Sequence, residues 1–186
     1  MRRVVVIGSP GSGKSTFSQR LGALLDLPVI HLDAHFWRPG WVEPVRRDWA
    51  AQQLDLIQQP GWIMDGYYGG TLDIRYGAAD TVIFLDLPRW VCLWRVLKRR
   101  VVYHGRSRPD IAAKCPESID WPFIQYVWRY PHAKRPEVLR RLLALPSSKQ
   151  IIQLDSSQAV KQLLHQVAKS LNPTFSGGPN ERSFTL

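Results

Sequence analysis

Short apolar runs alternate with helix-patterned segments along most of this chain. Five of the runs are short enough to be single strands, and they occupy residues 4–7, 28–32, 62–64, 81–85 and 150–154. Continuous apolar runs of this length are typical of parallel strands that are covered on both faces. The pattern therefore predicts five buried parallel strands.

Segments with helical spacing of apolar residues separate most of these runs. The positions that follow this spacing are Phe17, Leu21, Leu24 and Leu25; Ala50, Leu54 and Ile57; Trp90, Leu93, Trp94, Leu97 and Val101; and Val160, Leu163, Leu164, Val167 and Leu171. Such alternation favours right-handed crossovers that place helices on both faces of one sheet. We predict an α/β fold, a three-layer doubly wound sheet of about five parallel strands, with ligands bound at the carboxyl ends of the strands.

The rhythm changes between residues 98 and 148, where a basic and aromatic stretch interrupts the alternation. Asp120 and Pro122 are suited to beginning one helix, and Pro136 is suited to beginning another. We expect 98–148 to form a lid or insertion within a single domain that spans 1–171. Residues 172–186 are rich in proline, glycine and small polar residues, and they are predicted to form a disordered tail.

A complete phosphate-binding loop follows the first apolar run without a gap and opens onto the first helical segment. Its residues are Gly8, Ser9, Pro10, Gly11, Ser12, Gly13, Lys14 and Ser15, with Thr16 next in the predicted helix. In such a loop, glycines let backbone N–H groups point at phosphates, the lysine reaches the β- and γ-phosphates, and the serine hydroxyl binds Mg²⁺. The helix N-terminus also favours an anion. We predict that these residues bind ATP, with Lys14 catalytic and Ser15 a ligand of Mg²⁺.

The composition is compatible with more than one class of protein. Lys and Arg number 25 against 15 Asp and Glu, a net charge of +10, which suits either a polyphosphate or a nucleic-acid backbone. Cys92 and Cys115 are too few for a disulfide scaffold and favour a reducing compartment, with Cys92 expected in the core. No run approaches the roughly 20 apolar residues of a membrane span. We expect a cytoplasmic protein without a membrane partner, of unassigned oligomeric state.

The chain resembles the adenylate kinase-like group of phosphate-loop proteins, and most closely its DNA topology modulation protein branch. The resemblance rests on residues 2–15, 31–33, 65–67 and 82–89, and it covers about residues 1–170. It implies a P-loop NTPase fold of the nucleotide kinase type, with a helical lid and with ATP and Mg²⁺ as cofactors. It also implies that the loop follows the central strand, which the third and fourth strands flank, while the second strand lies outside them.

Two aspartates follow apolar runs and could support Mg²⁺. The resemblance implies that Asp65 lies beside the phosphate loop and holds water on Mg²⁺; a turn or helix cap before Gly66 is the alternative. Asp86 is the rival candidate because four apolar residues also precede it. In similar kinases that second position is more structural, so we predict Asp65 as the metal residue.

Asp33 follows the second apolar run and is predicted to begin a loop rich in aromatic residues. In similar kinases an aspartate here contacts the acceptor or a Mg²⁺-bound water, and a carboxylate can orient a hydroxyl and accept its proton. A helix cap or turn residue is the alternative. Phe36 and Trp37 are predicted to line the acceptor pocket, although packing would suit them equally. Gly66 and Tyr67 are predicted to contact the same substrate.

Arg95 and Arg99 are four residues apart and share a helix face, predicted to lie beside the stripe of Trp90, Trp94 and Leu97. The resemblance implies that Arg95 lies nearer the ATP base and that Arg99 stabilises charge on the transferring phosphoryl group. A solvated face is the alternative for either arginine. Weaker lid candidates are Arg106, Arg108 and Arg129.

One departure from the resemblance concerns the acceptor. Nucleoside monophosphate kinases commonly follow the Asp-Gly pair with a proline-arginine segment that grips the acceptor phosphate, whereas this chain continues with Tyr67, Tyr68 and two glycines. Arg75 is predicted as a substitute, but AMP is in doubt as the acceptor.

Two functions from different classes remain. The first is an ATP- and Mg²⁺-dependent phosphotransferase, a kinase whose small-molecule acceptor is unidentified. The second is a nucleotide-regulated protein that binds DNA or RNA, motivated by basic residues concentrated over 89–108 and 129–141. A simple ATPase is a further alternative. No Asn-Lys-x-Asp motif is present, which argues against a conventional GTPase.

Overall fold

The computed structural model describes residues 1–103, residue 115 and residues 120–171. Five parallel strands form one sheet in the order β2-β3-β1-β4-β5. The strands are β1 (Arg3–Gly8), β2 (Val29–His31), β3 (Trp62–Asp65), β4 (Thr81–Leu85) and β5 (Gln150–Leu154). This order confirms the predicted arrangement, in which the phosphate loop follows the central strand and the second strand is an outer one.

Helices connect successive strands across the described part of the chain. They are α1 (Lys14–Leu25), α2 (Leu32–Phe36), α3 (Arg46–Leu56), α4 (Leu72–Ala78), α5 (Arg89–Val102), α6 (Trp121–Ala133), α7 (Arg135–Leu143) and α8 (Ser157–Leu171), and a 3₁₀ turn covers Gly69–Thr71. The Asp120 carboxylate accepts a hydrogen bond of 2.9 Å from the Phe123 amide, and Pro136 lies in the first turn of α7. Both helix starts therefore lie where the sequence predicts them.

Two apolar clusters sandwich the sheet and confirm the three-layer architecture. Alternate residues of each central strand point to opposite faces, so that Val5 joins one cluster and Val6 the other. The cluster on the Val5 face includes residues of α3, α4 and α7, and the cluster on the Val6 face includes residues of α1, α5, α6 and α8. The sheet is thus covered on both sides.

Three details differ from the sequence predictions. Strand β5 was predicted to be buried, but as the edge strand it leaves Ile151 41% exposed and buries only Leu154. Helix α3 buries Trp49 and Gln53, while Leu54 is exposed. The face that packs is therefore not the one that the helical spacing of apolar residues predicts. Asp33 lies in the short helix α2 and not in a loop.

The tryptophan stripe on α5 faces solvent and does not pack on the sheet. Trp90 and Trp94 are 64% and 66% exposed, whereas Cys92 and Val96 are fully buried against the sheet and the phosphate loop. The sequence prediction that Cys92 belongs to the core is correct. Apolar spacing identifies one face of a helix, but the face that packs here is the one with smaller side chains.

Within 98–148, the described helices α6 and α7 belong to the body of the protein. Val127 of α6 and Val138 of α7 are fully buried, one in each apolar cluster. The prediction of a lid stays a prediction, because residues 104–114 and 116–119, including Arg106 and Arg108, lie outside the described residues. The tail predicted for 172–186 lies outside them as well.

Candidate active site

The phosphate loop leaves the end of β1 and enters α1 through a tight turn. The Ser12 amide donates to the Ser9 carbonyl at 3.1 Å, and Gly11 and Gly13 have φ angles of 78° and 94°. A Cβ atom at Gly11 would also overlap the carbonyl oxygen of Cys92 in α5. Glycine is therefore required here both for the backbone conformation and for close packing of α5 on the loop.

Lys14 is folded back over this loop. Its ammonium group donates to the carbonyls of Gly8 and Ser9, each at 3.0 Å. Burial lowers the pKa of Lys14 from its usual value, and the negative charges of Asp33 and Asp65 act in the opposite direction. The lysine is thus held on the loop by two hydrogen bonds, within electrostatic range of two carboxylates.

A single cavity of about 1190 Å³ lies at the carboxyl ends of the strands, as expected for a doubly wound sheet. It brings together most of the predicted site residues. From the loop, its lining includes Gly8, Pro10, Gly11, Gly13, Lys14, Ser15 and Thr16. From elsewhere it includes Asp33, Trp37, Trp41, Asp65, Gly66, Tyr67, Tyr68, Arg95, Arg99, Lys134, Glu137 and Arg141. Ser9 and Ser12 are buried within the loop itself.

Asp65 lies beside the loop because β3 pairs directly with β1. Its backbone is in register with Val6, two residues before the loop begins at Gly8. One carboxylate oxygen of Asp65 is 2.8 Å from Nδ1 of His31 on the neighbouring strand β2. The other oxygen is buried and has no hydrogen-bond partner among the described residues. An uncompensated buried carboxylate oxygen is costly, so this atom is suited to a cation or an ordered water.

Asp86, the rival acidic residue, has different partners. Both of its carboxylate oxygens accept from Nε of Arg135, at 2.9 and 2.8 Å, and one of them also accepts from Gln153 at 2.7 Å. Asp86 thereby ties the start of α7 to the ends of β4 and β5, and it does not line the cavity. These contacts favour a structural role for Asp86.

Asp33 is held by a residue that the sequence analysis did not single out. The phenol of Tyr68 donates to one carboxylate oxygen of Asp33 at 2.6 Å. Burial, followed by the charge of Asp33, raises the pKa of Tyr68 above its usual value, so the phenol keeps its proton. One Asp33 oxygen therefore accepts a hydrogen bond from a phenol that stays protonated.

The aromatic residues near Asp33 divide into packing and lining groups. Phe36 contacts the rings of Trp37, Trp49 and Tyr68 at centroid distances of 4.9, 5.1 and 4.5 Å, and it is not part of the cavity wall. Trp37 does line the cavity, together with Trp41, whose ring lies 5.2 Å away. The geometry favours packing for Phe36 and leaves Trp37 available to a ligand.

Arg75 has a position that the prediction of substrate contact did not anticipate. The residue is fully buried and does not line the cavity. Its guanidinium donates to the carbonyls of Gly66 at 2.7 Å, Tyr67 at 2.6 Å and Tyr68 at 3.3 Å. Burial lowers the pKa of Arg75 to about 10. The side chain therefore braces the segment between Asp65 and the 3₁₀ turn from within, and this geometry gives no support to direct contact with an acceptor.

Arg95 and Arg99 reach the cavity from α5. Arg95 donates to the Ser12 carbonyl and to the Ser157 hydroxyl, both at 2.9 Å, which fixes its guanidinium against the loop. Arg99, one turn further along the helix, lines the same cavity. With Lys14, three cationic side chains surround the loop end of the cavity, an arrangement suited to a polyphosphate.

Helix α7 and the residue before it, Lys134, supply a charged wall that the sequence indicates only as part of a general basic cluster. Arg141 lies 3.1 Å from one oxygen of Glu137, and Lys134 lies 3.7 Å from the other. Arg141 also donates to the Gly69 carbonyl at 3.1 Å. The spacing of Lys134, Glu137 and Arg141 places them on one helix face, and this was the signal available in the sequence.

The described part of the chain lacks two features. No helix in that part of the chain is long and apolar enough to cross a membrane. No group of three or more His, Cys, Asp or Glu side chains there is placed to hold a metal ion.

No family profile matches the sequence, and no curated protein matches it. Solved structures do match. A candidate kinase from Chloroflexus aurantiacus j-10-fl is 18% identical, with 89% of this chain and 96% of that chain covered and a TM-score of 0.50. A sugar kinase from Janibacter sp. HTCC2649 is 19% identical over 92% of each chain, with a TM-score of 0.48. The parallel sheet, the loop after its central strand and the first similarity agree: the chain has a P-loop kinase-type fold.

Proposed function

We propose that this protein is a kinase that transfers the terminal phosphoryl group of ATP to a hydroxyl group of a small molecule. One observation carries the proposal: a phosphate loop with its lysine, two carboxylates and two arginines all line a single cavity of about 1190 Å³. A nucleotide-binding protein without transfer activity needs the loop. Transfer to a hydroxyl needs in addition a group that can orient it and accept its proton, and Asp33 lines the same cavity with room for another ligand.

Each residue has a role that follows from its position. Lys14 and the loop amides would bind the β- and γ-phosphates, and Arg95 would support them because it is fixed against the loop. Arg99 would stabilise charge as it develops on the transferring group. Asp33 would orient the acceptor hydroxyl and accept its proton through the carboxylate oxygen that Tyr68 leaves available.

The residues present fit a Mg²⁺ ion held mainly by phosphate oxygens. Ser15 lies in the loop wall, and Asp65 has a buried carboxylate oxygen without a partner among the described residues. Mg²⁺ usually binds through one or two protein oxygens together with substrate phosphates and water, so a protein cage is unnecessary. The bound ion would neutralise phosphate charge, with Ser15 as a direct ligand and Asp65 holding a coordinated water.

The test is an assay of ADP formation with Mg²⁺, ATP and a panel of nucleosides, nucleotides, sugars and other metabolite alcohols. We expect at least one acceptor to raise ADP formation well above the rate with water alone. Lys14→Ala should abolish transfer, and Asp33→Asn should lower turnover by about 10²- to 10⁴-fold while ATP still binds. Acceptor-independent ADP formation across the whole panel would identify a simple ATPase and refute the proposal.

Arg99→Ala separates a role in the transition state from a role in binding. If Arg99 stabilises developing charge, turnover should fall by about 10³-fold or more while the dissociation constant of ATP changes much less. Equal losses in turnover and ATP affinity would assign Arg99 to ground-state binding only.

The nucleic-acid hypothesis is not favoured by a specific contact. Several residues of its basic clusters have intramolecular partners: Arg95 binds the loop, Arg135 pairs with Asp86, and Arg141 pairs with Glu137. These contacts account for part of the clustering of basic residues without a nucleic-acid phosphate backbone. Titration of duplex DNA at several salt concentrations decides the matter, because backbone binding weakens steeply with salt.

A further inference from the structure

We propose that the acceptor is an uncharged compound with a ring and several hydroxyl groups, of the nucleoside or carbohydrate class, and not a phosphorylated one. The inference rests on the proposed kinase function and names the substrate class of its acceptor. It concerns the part of the cavity on the side of Asp33 and α7, which we call the acceptor end. The segment from Tyr67 to Gly69 connects Asp33 to α7. The Tyr68 hydroxyl donates to Asp33, and the Gly69 carbonyl accepts from Arg141 of α7.

The acceptor end carries no excess of positive charge among its described residues. Its wall includes the carboxylates Asp33 and Glu137 and the cations Lys134 and Arg141. Each oxygen of Glu137 lies near one of these cations, at 3.1 Å from Arg141 and 3.7 Å from Lys134. A phosphate dianion bound to either cation would lie beside a carboxylate, and such like-charge contact is unfavourable. Hydroxyl groups, in contrast, donate readily to carboxylates.

Among the described residues, Arg75 and Arg141 adjoin this end, and both have intramolecular partners. Arg75 is buried and donates to three backbone carbonyls of the adjoining segment. Arg141 donates to the Gly69 carbonyl, pairs with Glu137 and lies 3.5 Å from Asp73. At the loop end, Lys14 and Arg95 also have partners, but these are carbonyls and a hydroxyl and not carboxylates, and Arg99 lines the same cavity. Among the described residues, the positive charge of the cavity is therefore concentrated at the loop end, where the donor phosphates would bind.

Two aromatic residues of the acceptor end have unusual backbone conformations. Trp41 has a φ angle of 64° and Tyr68 one of 32°, and the described residues include just one other non-glycine position with positive φ, Asp26. For bulky residues this conformation is strained, and such strain is concentrated at functional sites. The Trp41 turn is closed by paired hydrogen bonds between Arg38 and Val42, at 3.0 and 3.3 Å. Trp41 is thereby held at the cavity wall, where its ring or that of Trp37, which is inclined to it at 71°, can stack on a planar or cyclic ligand.

Matched acceptor pairs test the inference with the full-length protein. Each nucleoside is compared with its monophosphate, and each sugar with its sugar phosphate, using kcat/KM from ADP formation in the presence of Mg²⁺ and ATP. We expect the uncharged member to be preferred by at least about tenfold in one of the two arms, and that arm identifies the source of the acceptor. Preference for the phosphorylated member, or equal use of both, would overturn the inference and leave the kinase function standing.

A variant of Glu137 tests whether repulsion by its carboxylate is the reason that a phosphorylated acceptor is disfavoured. Glu137→Gln removes the repelling carboxylate and releases both cations, so the ratio of phosphorylated to uncharged acceptor use should rise by about tenfold or more. Asp73→Asn is the matched control, because Asp73 is 87% exposed and contacts Arg141 from outside this cavity. An unchanged ratio in Glu137→Gln contradicts the inference. If no member of any pair is phosphorylated although ATP binds, the kinase function itself fails, which is a distinguishable result.

Discussion

The phenolic oxygen of Tyr68 lies 2.6 Å from a carboxylate oxygen of Asp33, and both side chains line the same cavity. Tyr68 is itself fixed, because its ring packs against Phe36 and Trp49 at 4.5 and 5.2 Å. One end of the hydrogen bond is thus anchored in the aromatic cluster. The bond leaves Asp33 with one oxygen in a fixed orientation and the other available for an acceptor hydroxyl.

Replacing Tyr68 by phenylalanine should misorient Asp33 without removing it. Because orientation contributes to the transition state more than to nucleotide binding, we expect Tyr68→Phe to lower kcat by about tenfold and to leave the KM for ATP unchanged. Steady-state kinetics with the best acceptor of the panel measure both values. Tyr76→Phe serves as a control because Tyr76 lies in α4 outside the cavity, and an equal loss in both variants would argue against a positioning role.

Arg75 should be essential for the shape of the segment that carries Tyr67 and Tyr68. Arg75→Met keeps most of the buried volume but leaves the carbonyls of Gly66 and Tyr67 without their donors. Each buried carbonyl that loses its partner costs about 1–3 kcal/mol. We therefore expect the free energy of unfolding to fall by about 2–4 kcal/mol in urea denaturation.

A matched comparison distinguishes this structural role from contact with substrate. Arg141→Met removes a cavity-lining arginine whose side chain is 30% exposed. It should change acceptor KM with a smaller loss of stability. If Arg75→Met is as stable as the wild type and alters only acceptor KM, then Arg75 contacts the acceptor as the sequence first suggested.

The fold and the loop end of the site are predictable from sequence because their signals are local. Asp65 ends β3 and Asp33 comes two residues after β2, and parallel strands bring their carboxyl ends to one edge of the sheet. Arg75 and Tyr68 are different cases. The partners of Arg75 are backbone carbonyls seven to nine residues earlier, and the partner of Tyr68 is 35 residues away. Both sets of contacts depend on the path of the chain through the 3₁₀ turn, which no local sequence pattern specifies. Helical spacing likewise marks the tryptophan stripe of α5 without revealing that it faces solvent.

Close packing of α5 on the phosphate loop gives a prediction for Gly11. Gly11→Ala places a methyl group against the Cys92 carbonyl at a φ angle of 78°, which L-residues other than glycine adopt at a cost of about 1–2 kcal/mol. The loop and α5 must separate, so we expect a loss of about 2 kcal/mol or more in stability and weaker ATP binding. Gly77→Ala is the control: no atom lies within 4 Å of its added Cβ, so stability should rise by about 0.4–1 kcal/mol. Calorimetry with ATP and urea unfolding of both variants measure these effects, and normal ATP affinity in Gly11→Ala would show that the contact can relax.

Buried tyrosines should make the protein sensitive to alkali. Burial is the leading cause that raises the pKa of Tyr68, Tyr76 and Tyr130 in the folded state. The folded protein then keeps phenolic protons that the unfolded chain loses above about pH 10, so stability that is present below this pH is lost as the pH rises. Each such tyrosine contributes a slope of about 1.4 kcal/mol per pH unit in that range.

Tyr76→Phe isolates one of these contributions. The Tyr76 hydroxyl is buried without a hydrogen-bond partner among the described residues, so its removal should be neutral or slightly stabilising at pH 7. Above about pH 10 the variant should lose less stability than the wild type, by about 1.4 kcal/mol for each pH unit. Urea unfolding at about pH 7, 10 and 11 measures the difference. Parallel loss of stability in the two proteins would mean that Tyr76 ionises in the folded state as readily as in the unfolded chain, contrary to the effect expected from its burial.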